Sequence, residues 1–458
     1  MRYRSAVAIV LACLALAPLA DGPAAQETGP YSSARPFGTL RQQAAVQQAW
    51  LKERLEVNLP AVMRAHGVDM WVVTMREYNE DPVFRGLVSA TTFAARRRSI
   101  YIFFDRGEKG VERLALGGTS QGGLYEVYRG EGPTSTTQKA ELWGMDQWRL
   151  FARLVKERNP KAIAVNISAD HNFADGLTVG EWEQMQAALG PDLERRIVRN
   201  PRLAIDYLAL RVPGMMPTYR RLQTIVHEVI SAAFSNLVIN PGATTTDDVV
   251  WWMRQRVNDM GLGTWFQPSV EVQRMGAQES DLGDHPVIQR GDVLHCDFGI
   301  TALRLNTDTQ HMGYVLREGE TAAPAGITAA LARANRLQDI LLEKTKAGKT
   351  GNQVLREVLA QMNAEGLDGT MYSHPIGDHG HGAGPLIGLW DYQEGVPGRG
   401  DVPVLPNMWF STELQVTTPV PEWNGQRVRM ALEEEAEVRP DGVMQWMLRR
   451  QTELHLVR

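Results

Sequence analysis

The sequence predicts two folded units in tandem, an α/β unit followed by an α+β unit. Three observations predict this. The chain has 458 residues, more than one average domain holds. Short apolar runs alternate with helical patterns up to about residue 199. Beyond residues 200–214, marked by Pro201, Pro213 and Gly214, two amphipathic helices lead into a strand-rich region and a second helix pair. Residues 26–208 are assigned to the first unit and 209–458 to the second.

Residues 1–25 precede both units and read as a secretory signal. Arg2 and Arg4 give a charged start, 6–20 is almost wholly apolar, Asp21 breaks the run, and Gly22, Ala24 and Ala25 are small. A bilayer-spanning helix needs about 20 apolar residues, so this shorter run favours cleavage over anchoring. The mature chain is expected outside the cytoplasm, periplasmic or secreted, with no membrane attachment. Cys13 leaves with the signal and Cys296 remains, so no internal disulfide forms. A net charge of -5 carries no nucleic-acid signal. The run Arg96–Arg97–Arg98 is read as the solvated start of a strand.

After an irregular stretch at 26–40, a helix is predicted over 40–65, with a kink at Pro60. Strands are predicted at 70–74, 100–104, 113–116 and 162–167, and helices at 147–157 and 179–189. In the second unit, helices are expected at 216–237 and 245–260; Thr245 with Asp247 and Asp248 suits a helix start. Strands follow from 270 to 315, then helices at 326–348 and 352–365, all packed on one antiparallel sheet.

Asp297, Asp308, His381, Glu413 and Glu433 carry the chemistry. Asp297 ends an apolar strand and Asp308 lies on the next strand of a hairpin. Neighbouring strands lie about 4.8 Å apart, close enough for two carboxylates to grip one ion. Gly380–His381–Gly382–Ala383–Gly384 lets backbone crowd around one imidazole. Glu413 and Glu433 each end an apolar strand. Four carboxylates gathered in one pocket raise one another's pKa unless cations lie among them, and two divalent ions balance four negative charges. Cys296 alternates with Asp297 and is expected to be a buried spectator.

On these residues the second unit resembles the pita-bread metallopeptidases: methionine aminopeptidase, Xaa-Pro aminopeptidase and prolidase, with creatinase as a metal-free relative. Asp297, Gly299 and Asp308 match the family's first motif. Residues 380–384 match GHGxG, and 407–413 match GMxFTxE with Asn407 for Gly and Ser411 for Thr. Glu433, Val438 and Gly442 match the last motif, with Glu434 as the fallback. The resemblance covers about 215–445, and the first half resembles the creatinase/prolidase N-domain more loosely. It implies an α/β N-terminal domain followed by an α+β pita-bread catalytic domain.

The resemblance also implies roles. Asp297 would chelate one metal and Asp308 would contact both; His381 and Glu413 would hold the other, and Glu433 would bridge. Water between the metals would lose its proton and attack a carbonyl, and Glu413 would pass that proton to the leaving amine. Two divalent ions per chain, Mn, Zn or Co, are the expected cofactors. The expected function is an exported dinuclear aminopeptidase acting on an N-terminal peptide bond, with proline second as a candidate preference. Hydrolysis of another amide, or peptide binding without catalysis, are the alternatives. The expected partners are a peptide or small amide substrate and a second copy of the chain.

The departures concern histidines. The family's His–Glu step after GHGxG is absent from 388–394, and Leu414 replaces a Pro. His295, two residues from Asp297, shares its strand face. His374 resembles the histidine before GHGxG at a longer spacing, and His285 stands where a substrate-side histidine is sought. His374, His295 and His285 are therefore candidate catalytic residues, each with a hydrogen-bonded structural role as its alternative. His311 and His379 are further histidines near the motifs; His66, His171 and His227 lie far from them. The Gly/Pro-rich loop 395–403 is expected to rim the cleft, with Arg399 positioned for a substrate carboxylate.

Overall fold

A computed structural model describes residues 35–136 and 139–458. The signal segment and most of the irregular stretch at 26–40 lie outside the described residues.

The first half is built on a six-stranded mixed sheet. Its central strand Met70–Met75 pairs antiparallel with Ser99–Asp105 and parallel with Ile163–Val165. Val111–Leu116 and Glu126–Tyr128 extend one side, and Ile197–Arg199 closes the other. Alternation along Met70–Met75 sorts the two faces. Met70 and Val72 pack toward helices Met145–Arg158 and Val179–Glu194, while Trp71 and Val73 face the N-terminal helix and Pro201–Ala209. The strands at 126–128 and 197–199 have three residues each, too few for a period-2 pattern to show.

The predicted helix at 40–65 forms, but its irregularity precedes the proline. Leu40–Glu53 runs into a π-helical turn, Arg54–Asn58, and then Leu59–Ala65. Pro60 has no N–H to give to the preceding turn, and the wider turn absorbs the lost bond. Arg98 is not solvated as expected. It donates to Glu181 at 2.8 Å and stacks on Trp148.

Among the described residues, the second half holds a four-stranded and a five-stranded sheet, with a small hairpin of Thr301–Ala302 and Leu305–Asn306, where the sequence reading expected one sheet. In the first, Val293–Phe298 lies between Ser269–Gln273 and Thr309–Val315, and His455–Val457 adds a parallel edge. In the second, Trp409–Val420 pairs with Gly369–Pro375, Gln426–Leu432 and Glu435–Val438, with Met444–Trp446 at the edge. A bridge between Gln310 and Glu433 joins the sheets. Helices Met216–Ala233 and Thr246–Asp259 cover the first, where Leu294, Cys296 and Phe298 enter their core. Helices Ala325–Lys344 and Gly351–Ala364 cover the second. Thr245 caps its helix: its hydroxyl accepts from Asp248 N at 3.1 Å, and Asp248 accepts from Thr245 N at 2.8 Å. With Leu294 and Cys296 in the helix-side core, His295 and Asp297 are turned to the space between the sheets.

The first half grips the second near residue 381. Arg54, in the π-helical turn, donates to Asp378 at 2.6 Å, and Arg211 approaches the same carboxylate at 3.2 Å. The two guanidinium groups hold the Asp378 carboxyl down at about 2 despite its burial. Arg304 reaches back to the carbonyls of Arg85, Val88, Ser89 and Thr92.

Candidate metal centre

Strand alternation delivers the acids. Register pairs Asp297 with Gln310, so Asp308, two residues before Gln310, is turned to the same space. Gly299 makes this corner possible: a Cβ there would lie 2.3 Å from Thr307 O and 2.5 Å from Trp265 Nε1. On the second sheet, register pairs Tyr372 with Glu413 and His374 with Ser411. Asn407 holds the position where the family motif has Gly; its φ of 66° is a left-handed conformation that Asn tolerates.

These elements bring together Asp297, Asp308, His374, His381, Glu413 and Glu433. Ligand atoms of Asp297, Asp308 and Glu433 lie within 4.8 Å of one another, as do those of Asp308, His374 and His381, and those of His374, Glu413 and Glu433. His374 thus stands in the middle of the cluster, joining the five residues that the motifs singled out. Its Nδ1 is 3.1 Å from Pro375 O, which makes Nδ1 the protonated nitrogen and leaves Nε2 a lone pair. That lone pair faces Glu433 at 3.3 Å and Asp308 at 3.6 Å. Burial holds the His374 imidazole neutral, its pKa lowered to about 4; partial desolvation and the neighbouring His374 lower His381 likewise.

The cluster is electrostatically incomplete as a set of protein atoms. Asp297 Oδ1, Asp308 Oδ1, Glu433 Oε1 and His374 Nε2 are buried and without a hydrogen-bond partner. Burial and the neighbouring carboxylates push Asp297, Asp308 and Glu433 above the usual range, and raise Glu413 to about 9. Converging acceptors with no donor among them fit divalent cations, and carboxylate oxygen with imidazole nitrogen suits Mn, Co, Fe or Zn.

A relay holds the cluster from behind. Gln310 Nε2 donates to Glu433 Oε2 at 2.8 Å, Gln310 Oε1 meets His295 Nε2 at 2.9 Å, and His295 Nδ1 meets Glu271 Oε2 at 3.1 Å. Asp308 N donates to Glu435 Oε1 at 2.9 Å, and Gln223 holds the other oxygen of Glu435 at 2.7 Å. His295 therefore supports the cluster through Gln310 instead of entering it. The sequence reading missed the roles of Glu271, Gln310 and Glu435; the one signal available was alternation, which puts Gln310, two residues after Asp308, on the same strand face as that ligand.

The remaining candidates fall elsewhere. Glu434, the fallback for Glu433, points to the opposite face, where it meets His227 at 2.9 Å and His311 at 2.8 Å. His285 is exposed in the loop before the Val293 strand and does not line the cavity beside Asp297. His379 packs against Phe173 of the first half, with ring centroids 4.7 Å apart and the planes tilted by 53°. Cys296 is fully buried and its thiol is pushed up by desolvation, as suits a spectator. Arg399, in the short helical turn Arg399–Asp401, contributes positive charge that lowers His374 and His381.

The model of metallopeptidase family M24 matches residues 218–439. The second half is an M24 metallopeptidase domain. No curated protein sequence matches the chain. Among solved structures, X-Pro aminopeptidase from Thermotoga maritima is 16% identical, with a TM-score of 0.59 over 87% of this chain and 100% of its own. Dipeptidase PepE from Mycobacterium ulcerans is 15% identical, with a TM-score of 0.57 over 90% and 98%. The N-terminal domain of FACT complex subunit SPT16 from Cicer arietinum is 10% identical, with a TM-score of 0.56 over 91% and 99%. These likenesses establish the fold over both halves: an N-terminal α/β unit and the pita-bread arrangement of the M24 domain. Because such different proteins share it, function has to be argued from the cluster.

The register of the M24 histidine motif is testable. His381→Ala is expected to weaken metal binding by about tenfold to a hundredfold, because it removes an imidazole of the cluster. His379→Ala, which loses a tilted ring contact with Phe173 away from the cluster, is expected to weaken it by less than about threefold. Calorimetric titration with Mn²⁺ or Zn²⁺ measures both, and a reversed order would refute this register.

Proposed function

We propose that the chain is an exported, dinuclear metal-dependent aminopeptidase. The buried acceptors of Asp297, Asp308, Glu433 and His374, which lack any partner, carry this reading. Asp297, Asp308, His381, Glu413 and Glu433 would hold two divalent ions, with His374 as a sixth donor; four carboxylates match the charge of two such ions. When bound, the ions would polarise the scissile carbonyl and make water acidic enough to ionise near neutral pH. Glu413 is half-buried and lines the cavity beside the cluster, so its carboxylate can receive a proton and hand it to the leaving nitrogen. Gln310 holds the Glu433 carboxylate, and Glu435 anchors the main chain that carries Asp308. Export rests on the charged and apolar N-terminal pattern. Among the described residues, no helix is long and apolar enough to cross a membrane.

The second reading is hydrolysis of a different amide on the same centre. It is favoured by Gly388 and Leu389, which stand in the stretch where the family carries its His–Glu step. One lost transition-state donor costs about a hundredfold or more, so slow turnover of ordinary peptides is expected. kcat/KM on di- and tripeptides with proline or alanine second decides between the readings. Cleavage of either set supports the aminopeptidase, and their ratio sets its proline preference. No cleavage of both sets by protein with two bound ions would move the assignment to the other amide.

A further inference from the structure

A second group of metal-ligating side chains lies on the far side of the strand end that carries Glu433. Three separate elements supply it. His227 comes from helix Met216–Ala233, His311 from strand Thr309–Val315, and Glu434 from the link between Gln426–Leu432 and Glu435–Val438. Alternation explains the face: Gln310 and Glu433 turn to the centre, so His311 and Glu434 turn away from it. The three residues are 5%, 3% and 1% exposed, and none lines the cavity beside Asp297. His227 Nε2 is 2.9 Å from one Glu434 oxygen, and His311 Nε2 is 2.8 Å from the other. One ligand atom from each residue lies within 4.8 Å of those of the other two. The imidazole centroids are 4.9 Å apart with planes 57° apart, so the rings converge on the carboxylate without stacking on each other. This is the donor set of a zinc-class ion, because a carboxylate that binds through both oxygens adds a fourth donor to two imidazole nitrogens. His311 also has the outer partner that a ligating histidine uses: its Nδ1 lies 3.0 Å from His455 Nε2. Either imidazole can donate in that contact, so His311 can give its Nδ1–H to His455 and keep an Nε2 lone pair for an ion. Gln451 N holds Glu434 Oε1 at 3.0 Å.

We propose that His227, His311 and Glu434 form a separate cation site, selective for zinc-class ions over Mn²⁺. The selectivity follows from the donors. Here two imidazoles meet one carboxylate, whereas the catalytic cluster sets two imidazoles among four carboxylates. Imidazole-rich ligation suits Zn²⁺, and carboxylate-rich ligation suits Mn²⁺. The ion would tie helix Met216–Ala233 to the strand end that positions Glu433, with no contact to substrate. The site stands or falls without the aminopeptidase reading.

The test uses the full chain with Asp308→Ala, which disables the catalytic centre, stripped with chelator and reloaded. Loaded with Mn²⁺, it reports what is left of that centre alone. Offered Zn²⁺, it is expected to take up about one ion more and to melt about 5 °C higher. Adding His311→Gln or Glu434→Gln should weaken that uptake about tenfold or more, whereas adding His381→Ala should leave it in place. Co²⁺ absorption reads the ligands directly: the strong visible bands of a four-coordinate ion are expected, and His227→Gln should remove them. Zinc-edge anomalous diffraction from the Asp308→Ala chain gives the position even if the added variants fail to fold, with a peak expected between His227, His311 and Glu434. Saturating Zn²⁺ that leaves no peak there overturns the site. So does uptake that survives both His311→Gln and Glu434→Gln, or that disappears with His381→Ala, because that ion belongs to the catalytic centre.

Discussion

Asp308→Ala is expected to abolish peptide hydrolysis and to strip most of the bound metal. Asp308 belongs to two of the three overlapping ligand groups, so its removal opens both. Its carboxylate is buried and one oxygen has no protein partner, while its backbone N is fixed by Glu435 at 2.9 Å. No neighbouring side chain is placed to substitute, because Glu435 is already held by Gln223. The expected fall in kcat/KM is on the order of a thousandfold or more. Metal content should drop from about two ions per chain, the number that balances four carboxylates, to below one. The metal-free variant should also melt higher than metal-free wild type, since one of four mutually repelling acids is gone. Elemental analysis, peptide assays and thermal melts check the three parts separately. Full occupancy with normal activity in this variant would sink the assignment of the centre.

The sequence shows Asp297, Glu413 and Glu433 because each follows a short apolar run, Asp308 because it opens the partner strand of a hairpin, and His381 because glycines flank it; strand alternation then leaves one choice of face for the acids. His295–Cys296–Asp297 and Glu433–Glu434–Glu435 each read as in, out, in, and Glu434 does turn away to His227 and His311. The support behind the ligands was not legible. Gln310 reaches Glu433 across 123 residues, and Arg429 reaches Glu271 across 158. Those contacts depend on how two sheets are set against each other, and one antiparallel sheet was the simpler reading of the same strands. His374 marks the boundary between the two cases. Its spacing from His381 pointed to a role, but only the pairing with Ser411 puts its free nitrogen between Asp308 and Glu433. The clamp from Arg54 to Asp378 was hidden for a further reason: no local pattern announces a π-helical turn or the loop it will hold.

Metal removal should leave a folded protein whose stability falls steeply as pH rises. The sign follows from the raised acids. Burial and like charge lift Glu413 from 4.5 to about 9 and Glu435 to about 7, and hold Asp297, Asp308 and Glu433 above their usual range. In the unfolded chain these acids ionise near pH 4 to 4.5. Above that, the metal-free folded state binds more protons than the unfolded state, so each upward step in pH costs stability. The loss runs from the unfolded range up to about 9. His374 and His381, lowered to about 4, act in the opposite sense below about pH 6.5, where the unfolded histidines take up protons first. The slope is therefore cleanest between about pH 6.5 and 9, where Glu413 alone is worth about 3 kcal/mol. Bound ions need the same groups deprotonated, so affinity rises over this window and the loaded protein keeps its stability. Denaturant melts of chelated and loaded protein at pH 6.5, 7.5 and 8.5 should diverge progressively. Glu413→Gln should flatten the chelated curve, because the group that loses its proton is no longer there. Parallel curves for chelated and loaded protein would mean that the acids do not share one desolvated centre.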